Sequence, residues 1–368
     1  MFRVATARPS YDAEVRALVA GGTLRPARET AFVAWAWRHG LAGLVDRAIA
    51  EGRWRPSAPA ADFARSIRGG AALNAALLRQ ELRPAAETLA AVAGAAPVVI
   101  KGPALAERLY GAPGLRAFAD LDLLVPRASL RDAVAALTER GWELARAGRT
   151  YAAMGEPVPG FAEDYGHELH VVRRVGAAEA HLEVHWRVGD DPLTVRLDHG
   201  WLSSRARPLP ELGDHVLAPA PADDLLVLAV HLVGHGRATR LIWHVDLAFA
   251  ARALDDAEWE EAFVVAEELG LGWTLHRALD HAAATTGIDR PRPRACPPPP
   301  PWGPLRAAEA LPPRVAEHVG RVAALGWGGR ARYVARIAAA TARRVRARQG
   351  QGSRTRPAAS GSSTQNSS

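Results

Sequence analysis

The hydrophobic period of this chain changes twice, and that change constrains its fold more than any other feature. Between residues 10 and 95, apolar side chains recur every three or four positions, as in FVAWAWRHGLAGLVDRAIA and NAALLRQELRPAAETLAAVA. That spacing predicts helices, with Pro84 as a kink or boundary. Val98-Val99-Ile100 breaks the pattern with a β-branched run that suits a buried strand. Ala104 to Tyr110 returns to helix, and Leu121 to Val125 is a second apolar strand. Leu130 to Arg140 reads as a helix closed by Gly141 at its C-cap. Strand-like pieces, ELHVV and HLEVHWRV, follow within residues 142–189, and the helical period resumes from Asp223 to about Thr286. The expected organisation is an N-terminal helical region (1–95), a core (96–215) and a C-terminal helical region (216–290).

Beyond that point the character shifts again. Cys296 precedes five consecutive prolines, so residues 291–313 read as a stiff linker. Residues 314–349 read as a basic helix and residues 350–368 as a disordered, low-complexity tail. The formal charge of +7 belongs to this end of the chain. From His318 onward there are ten arginines and no acidic residue; without them, 36 basic side chains face 39 acidic ones. A nucleic-acid-binding body is therefore not indicated, although the tail suits an anionic partner. No apolar run approaches the ~18 residues that cross a bilayer. The N-terminus lacks a signal-peptide apolar region, and the single cysteine excludes an intramolecular disulfide or a cysteine-cluster metal site. A cytoplasmic protein is expected.

The chemistry concentrates in FADLDLLV. On a strand, residues two apart face the same side with Cα atoms about 6.6 Å apart. Asp120 and Asp122 then share one face while Leu121 and Leu123 enter the core opposite. Two such carboxylates can converge on one divalent cation or bridge two cations, or can simply be a solvated Asp-x-Asp. In HLEVHWRV, alternation sends Leu182, Val184, Trp186 and Val188 one way and His181, Glu183, His185 and Arg187 the other. If that strand lies beside the aspartate strand, Glu183 completes a three-carboxylate site suited to phosphoryl chemistry; otherwise it is an exposed polar face.

Lys101 stands out for a compositional reason. It is the only lysine among 46 basic residues, in a chain whose Arg, Ala, Gly and Pro usage points to a GC-rich genome. Lys101-Gly102 ends the first strand just before a helix, where a glycine admits close approach and free amides attract anions. Lysine supplies a compact charge for a phosphate, and Arg116 can add a fork of donors.

The stretch VVIKGPALAERLYGAPGLRAFADLDLLVPRASLRDAVAALTERGWEL closely resembles an uncharacterised bacterial nucleotidyltransferase family within the DNA polymerase β-like superfamily. It is more loosely similar to the nucleotidyltransferase toxins of abortive-infection systems. The matching positions are Lys101, Gly102, Tyr110, Arg116, Asp120 and Asp122. An acid two before a His-Trp pair matches Glu183, His185 and Trp186, and a two-histidine helix followed by Trp-x-x-Asp matches His231, His235, Trp243 and Asp246. The likeness runs from about Phe32 to Thr286. The superfamily's Gly-Ser pair is Gly102-Pro103 here, and the third acid is Glu where the family more often has Asp.

The resemblance implies an α+β fold: a small mixed β-sheet core carrying the acids, flanked by helical regions. It implies a magnesium site (manganese being the alternative ion) held by Asp120, Asp122 and Glu183, with Lys101, Gly102 and Arg116 around the triphosphate of an NTP. An acceptor hydroxyl of a small molecule, peptide, protein or RNA end would attack the α-phosphate in line and release pyrophosphate. The alternative is a nucleotide-binding or regulatory module of the same fold without catalysis. The HExxH spacing of zinc hydrolases is absent among the 13 histidines. His231 and His235, four apart on a helix, are expected to line or brace the cleft with His185 and Asp246.

Overall fold

The helical period of the first ninety residues becomes four helices: α1 (Asp12–Ala20), α2 (Glu29–Arg38), α3 (Ala42–Ala50) and α4 (Ala58–Ala93). The computed structural model describes residues 11–112, 114–145, 166–236, 240–289, 295–301, 303–335 and 337–338. Pro84 neither ends nor divides α4, so of the two expectations, kink or boundary, the boundary does not hold. Leu82, Ala85, Ala86 and Leu89 around it are all buried, and this packing holds the helix across the position where a backbone donor is missing. Thr88 Oγ1 donates to the Pro84 carbonyl at 2.7 Å.

Among the described residues seven strands follow: β1 (Val98–Val99), β2 (Leu121–Leu124), β3 (Glu143–Leu144), β4 (Glu168–Val175), β5 (Ala178–His185), β6 (Arg207–Pro208) and β7 (Leu217–Ala218). They form one mixed sheet in the order β3-β4-β5-β2-β1-β7-β6. β2 pairs antiparallel with β1 and parallel with β5, so the aspartate strand sits at the centre beside the Glu183 strand. Between β1 and β2, α5 (Gly102–Leu105) runs into a wider π turn over Ala106–Tyr110. The helix expected from Ala104 therefore begins two residues earlier.

One face of the sheet is apolar. Val99, Leu121, Leu123, Val171, Leu182 and Val184 pack in one cluster with Leu78, Leu82 and Leu89 of α4 and Leu130 and Leu137 of α6 (Leu130–Glu139). This is the alternation read from the sequence, turned into a sheet–helix core of α+β type. The other face meets the C-terminal helices. After α7 (His199–Arg205) come α8 (Pro221–Gly234), α9 (Leu241–Ala253), α10 (Asp256–Glu268) and α11 (Gly272–Thr286). Their buried side chains join Val98, Leu124 and the residues of α1–α3 in a second cluster.

Two sequence expectations change in the C-terminal part. Within the segment expected to be an extended linker, residues Pro304–Ala310 form α12, with Leu305 and Ala307 buried. Asp191 Oδ2 accepts from the Leu305 amide at 2.9 Å, which ties this helix to the loop after β5. The expected single basic helix is instead α13 (Pro313–Ala324) and a second helical stretch over 327–335. Residues 339–349 of that expectation, and the tail 350–368, lie outside the described residues. No helix among the described residues is long and apolar enough to cross a membrane.

Candidate active site

The register of the central strands brings the acids together. Asp122 of β2 stands directly beside Glu183 of β5, and Glu183 stands opposite His170 of β4. Because Leu121 and Leu123 are committed to the apolar face, Asp122 must point to the other side, where Glu183 and His185 also lie. Asp122 and His185 are almost fully buried there. Asp120 precedes the first residue of β2 and is partly exposed.

Asp122 is the hub. Lys101 Nζ donates to its Oδ1 at 2.9 Å, and His185 Nε2 lies 3.1 Å from the same oxygen. Burial works against the Asp122 charge, but the Lys101 ammonium and His185 outweigh it and hold the carboxyl well below the ordinary range. Lys101 responds in kind: desolvation is overcome by the charges of Asp122 and Glu183, and its pKa is raised. Asp120 behaves oppositely. Burial and the negative charges of Asp122 and Glu183 push it up to about 6. Three carboxylates with one lysine between them leave negative charge that a divalent cation would relieve.

Ligand atoms of Asp122, Glu183 and His185 all lie within 4.8 Å of one another. Asp122 and Glu183 are hard carboxylate donors of the kind magnesium prefers, and His185 Nε2 lies against Asp122 beside them. Asp120, two residues before Asp122, is partly exposed and is not one of this close trio.

Gly102 is where the backbone demands glycine. Its φ is +43°, and an added Cβ would lie 3.3 Å from the Asp120 carbonyl and 3.8 Å from the Phe118 ring. The Lys101-Gly102 turn is thereby held close against the aspartate strand. His231 of α8 completes the floor, its Nδ1 lying 3.5 Å from Lys101 Nζ. Burial and the Lys101 charge keep His231 neutral, well below its ordinary pKa. His235 stacks on Trp243 with centroids 4.4 Å apart, and His231 meets the same indole edge-on at 4.7 Å. His231 is thus beside Lys101, and His235 is joined to it through the shared indole.

Arg116 and Asp246 occupy a different place from the one expected. Nε and Nη2 of Arg116 donate to the two Asp246 oxygens at 2.9 and 2.8 Å, a bidentate pair that is buried at both ends. Tyr110 Oη donates to Asp246 Oδ1 at 2.6 Å. The arginine fork is thus consumed by Asp246, and the trio braces the π turn and the segment before Asp120 against α9. A buried charge pair of this kind is costly to break from either side. Arg116 is a brace here, where the sequence suggested a phosphate ligand.

The sequence reading left one group without a role. Along β4, Glu168 and His170 point to the site face together with His167 just before the strand. Glu168 lies opposite His185 in the β4–β5 register. In the sequence His167 and His170 flank Glu168 without the HExxH spacing of a zinc hydrolase, and the alternation in ELHVV does not say which strand is the neighbour.

A model of the uncharacterised nucleotidyltransferase family matches residues 25–287 of the chain. A search of curated proteins finds no match. The match spans α2–α4, the whole sheet with its acids and lysine, and the four helices α8–α11 that close over it. With more than two thirds of its length aligned and the motif residues converging on one site, the chain belongs to this uncharacterised nucleotidyltransferase family.

Proposed function

We propose that the protein transfers a nucleoside monophosphate from an NTP to an acceptor hydroxyl, using a divalent-cation site built on Asp120, Asp122 and Glu183. The observation that carries this reading is the β2–β5 register, which sets Asp122 beside Glu183 with Lys101 Nζ 2.9 Å from the aspartate. Magnesium bound there would neutralise charge on the transferring phosphoryl group and on the attacking and leaving oxygens. Asp122, kept ionised by Lys101 and His185, holds the ion; Glu183 and Asp120 complete its carboxylate environment. Lys101, at the start of α5, lies where it can exchange its aspartate contact for a phosphate oxygen. His231 and His235, with Trp243, form a wall against which a base or an acceptor can pack. The protein's contribution is positioning and fixed charge, since phosphoryl transfer asks for little covalent chemistry from side chains.

The test is to incubate the purified protein with each labelled NTP and a cell extract, with and without magnesium. The expected outcome is magnesium-dependent labelling of an acceptor together with release of pyrophosphate. NTP binding without transfer under any metal condition would overturn this reading. It would support the catalytically inactive nucleotide-binding module that Pro103, in the usual serine position, also suits.

A further inference from the structure

Beside the carboxylates just described lies a set of side chains with a different chemistry. Ligand atoms of His167, Glu168 and His185 lie within 4.8 Å of one another, and so, separately, do those of Glu168, His170 and Glu183. His167 Nε2 is 3.1 Å from Glu168 Oε2, and His185 Nε2 is 3.4 Å from the same oxygen. Two imidazole nitrogens and a carboxylate oxygen thus converge on one point. Magnesium takes an oxygen shell and avoids such a set, whereas zinc, manganese and iron(II) accept it.

A second observation concerns orientation. His167 Nδ1 lies 2.6 Å from Asp190 Oδ1, so the ring is held with Nε2 turned toward Glu168. A carboxylate gripping the far nitrogen of a histidine is the arrangement that orients metal-bound imidazoles and raises their basicity. Asp190 is itself in a braced loop: the neighbouring Asp191 accepts from the Leu193 and Leu305 amides. His185 is almost completely buried, and its Nδ1 has no hydrogen-bond partner among the described residues, whereas its Nε2 faces the cluster.

We propose that His167, Glu168 and His185, with Asp190 orienting His167, form a second cation site that takes a first-row transition metal such as zinc, distinct from the magnesium-holding carboxylates. The β4–β5 cross-strand register builds it, because Glu168 and His185 are direct partners and His167 is the residue that leads into β4. The ion would occupy the space now bridged by histidine–carboxylate contacts. Its binding would pin the start of β4 to the end of β5. His170 stands on the other side of Glu168, with Nε2 3.0 Å from Glu168 Oε1 and Nδ1 3.2 Å from Glu183 Oε1. It thereby fixes the Glu168 carboxylate without being required as a ligand.

The experiment uses the full chain, stripped with a chelator and dialysed. Zn2+ is titrated against a chromophoric competitor, and Co2+ is titrated separately while its d–d absorption is followed. Wild type is expected to bind one equivalent of Zn2+ in the presence of millimolar Mg2+, with Co2+ bands free of thiolate charge transfer. His167→Gln should weaken Zn2+ at least ~10-fold and Asp190→Asn by ~10–100-fold, the range for lost orienting partners. Asp120→Asn should leave Zn2+ affinity within about threefold, because Asp120 lies outside each of the close histidine–carboxylate groups, and this separates the site from the carboxylate site. Circular dichroism of each variant verifies folding, and the milder Asp190→Asn serves if His167→Gln unfolds. Absence of Zn2+ binding by wild type, or binding unchanged in both His167→Gln and Asp190→Asn, would overturn the proposal. So would binding lost in Asp120→Asn alone. Because the readout is metal occupancy, failure of NTP transfer and failure of this site are independent outcomes.

Discussion

Lys101 is the residue at which composition, backbone and electrostatics meet. Its Nζ contacts Asp122 at 2.9 Å and approaches His231 at 3.5 Å, with Gly102 pressed against the aspartate strand behind it. A planar guanidinium on a longer stem cannot occupy that gap without displacing one of these neighbours. Lys101→Arg is therefore expected to raise the apparent Kd or KM for NTP at least ~10-fold although charge is conserved; an unchanged value would show the lysine to be incidental. Asp122→Asn and Asp120→Asn remove fixed charge from the reacting centre. Each should lower transfer by ~10²-fold or more while circular dichroism shows the fold retained, as for the loss of one preorganised electrostatic contact. Away from the site, His244 of α9 makes a pH prediction. It is buried, and burial followed by the nearby His281 charge lowers its pKa to about 4, although a hydrogen bond with His281 opposes the shift. Its folded pKa lies below the ordinary value of about 6.5, so the unfolded chain binds the extra proton first. The neutral-imidazole contribution is present above about pH 6.5 and is lost as pH falls toward 4, at up to about 1.4 kcal/mol per unit. His244→Leu should flatten the decline of Tm between pH 6.5 and 4 relative to wild type; parallel curves would count against it.

At the scale of elements, two glycines in neighbouring helices should answer the same substitution with opposite signs. Gly43 lies in α3 where an added Cβ would come within 2.3 Å of the Leu115 carbonyl oxygen and 2.5 Å of that of Gly114. Those are backbone atoms of the segment that delivers Arg116 to Asp246, so they have little room to yield. Gly70 lies in α4, and an added Cβ there meets nothing within 4 Å. In an open helical position Gly→Ala stabilises by about 0.5–1 kcal/mol, while overpacking costs about 1–3 kcal/mol or more. Gly70→Ala is thus expected to raise the urea midpoint and Gly43→Ala to lower it. Equal responses would mean that α3 does not seat on the 114–115 backbone. The same seat explains how helices far from the acids in sequence position them: α3 supports residues 114–115, Arg116 clamps to α9, and the chain arrives at Asp120.

For the molecule as a whole, the question is where the folded unit ends. The proline run suggests a boundary near residue 290, but α12 returns to the body. Leu305 is buried within the second core cluster, Ala307 is also buried, and the Leu305 amide is held by Asp191. Gly320 of α13 in turn approaches Pro304 so closely that a Cβ would lie 2.6 Å from its Cα. Burying Leu305 alone is worth about 2 kcal/mol. A chain ended at residue 302 should lose several degrees of Tm, and transfer should fall with it because α8 carries His231. A chain ended at 338 should keep both. Identical melting of the two shortened chains would return the boundary to the proline run.

The local pattern alone placed the main helices and the strands around Val98–Val99, Leu121–Leu124 and Ala178–His185, and set Asp122 on the face opposite Leu121 and Leu123, because periods of 3.6 and 2 are properties of consecutive residues. It also singled out Lys101, whose rarity is visible without coordinates. It did not decide whether Glu183 lies beside Asp122, since alternation places a side chain on a face but leaves the neighbouring strand open. The parallel β2–β5 register decided that, and the antiparallel β4–β5 register brought Glu168 and His170 to the same face. Arg116 was misplaced for a related reason. Four residues before an acidic pair, it looked free for a phosphate, and only the packing of α9 against the π turn showed Asp246 holding both ends of its fork. Pro84 and the proline run were read as interruptions because a missing amide weakens a local helix. Tertiary burial of Leu82, Leu89 and Leu305 supplied the free energy that local propensity lacked.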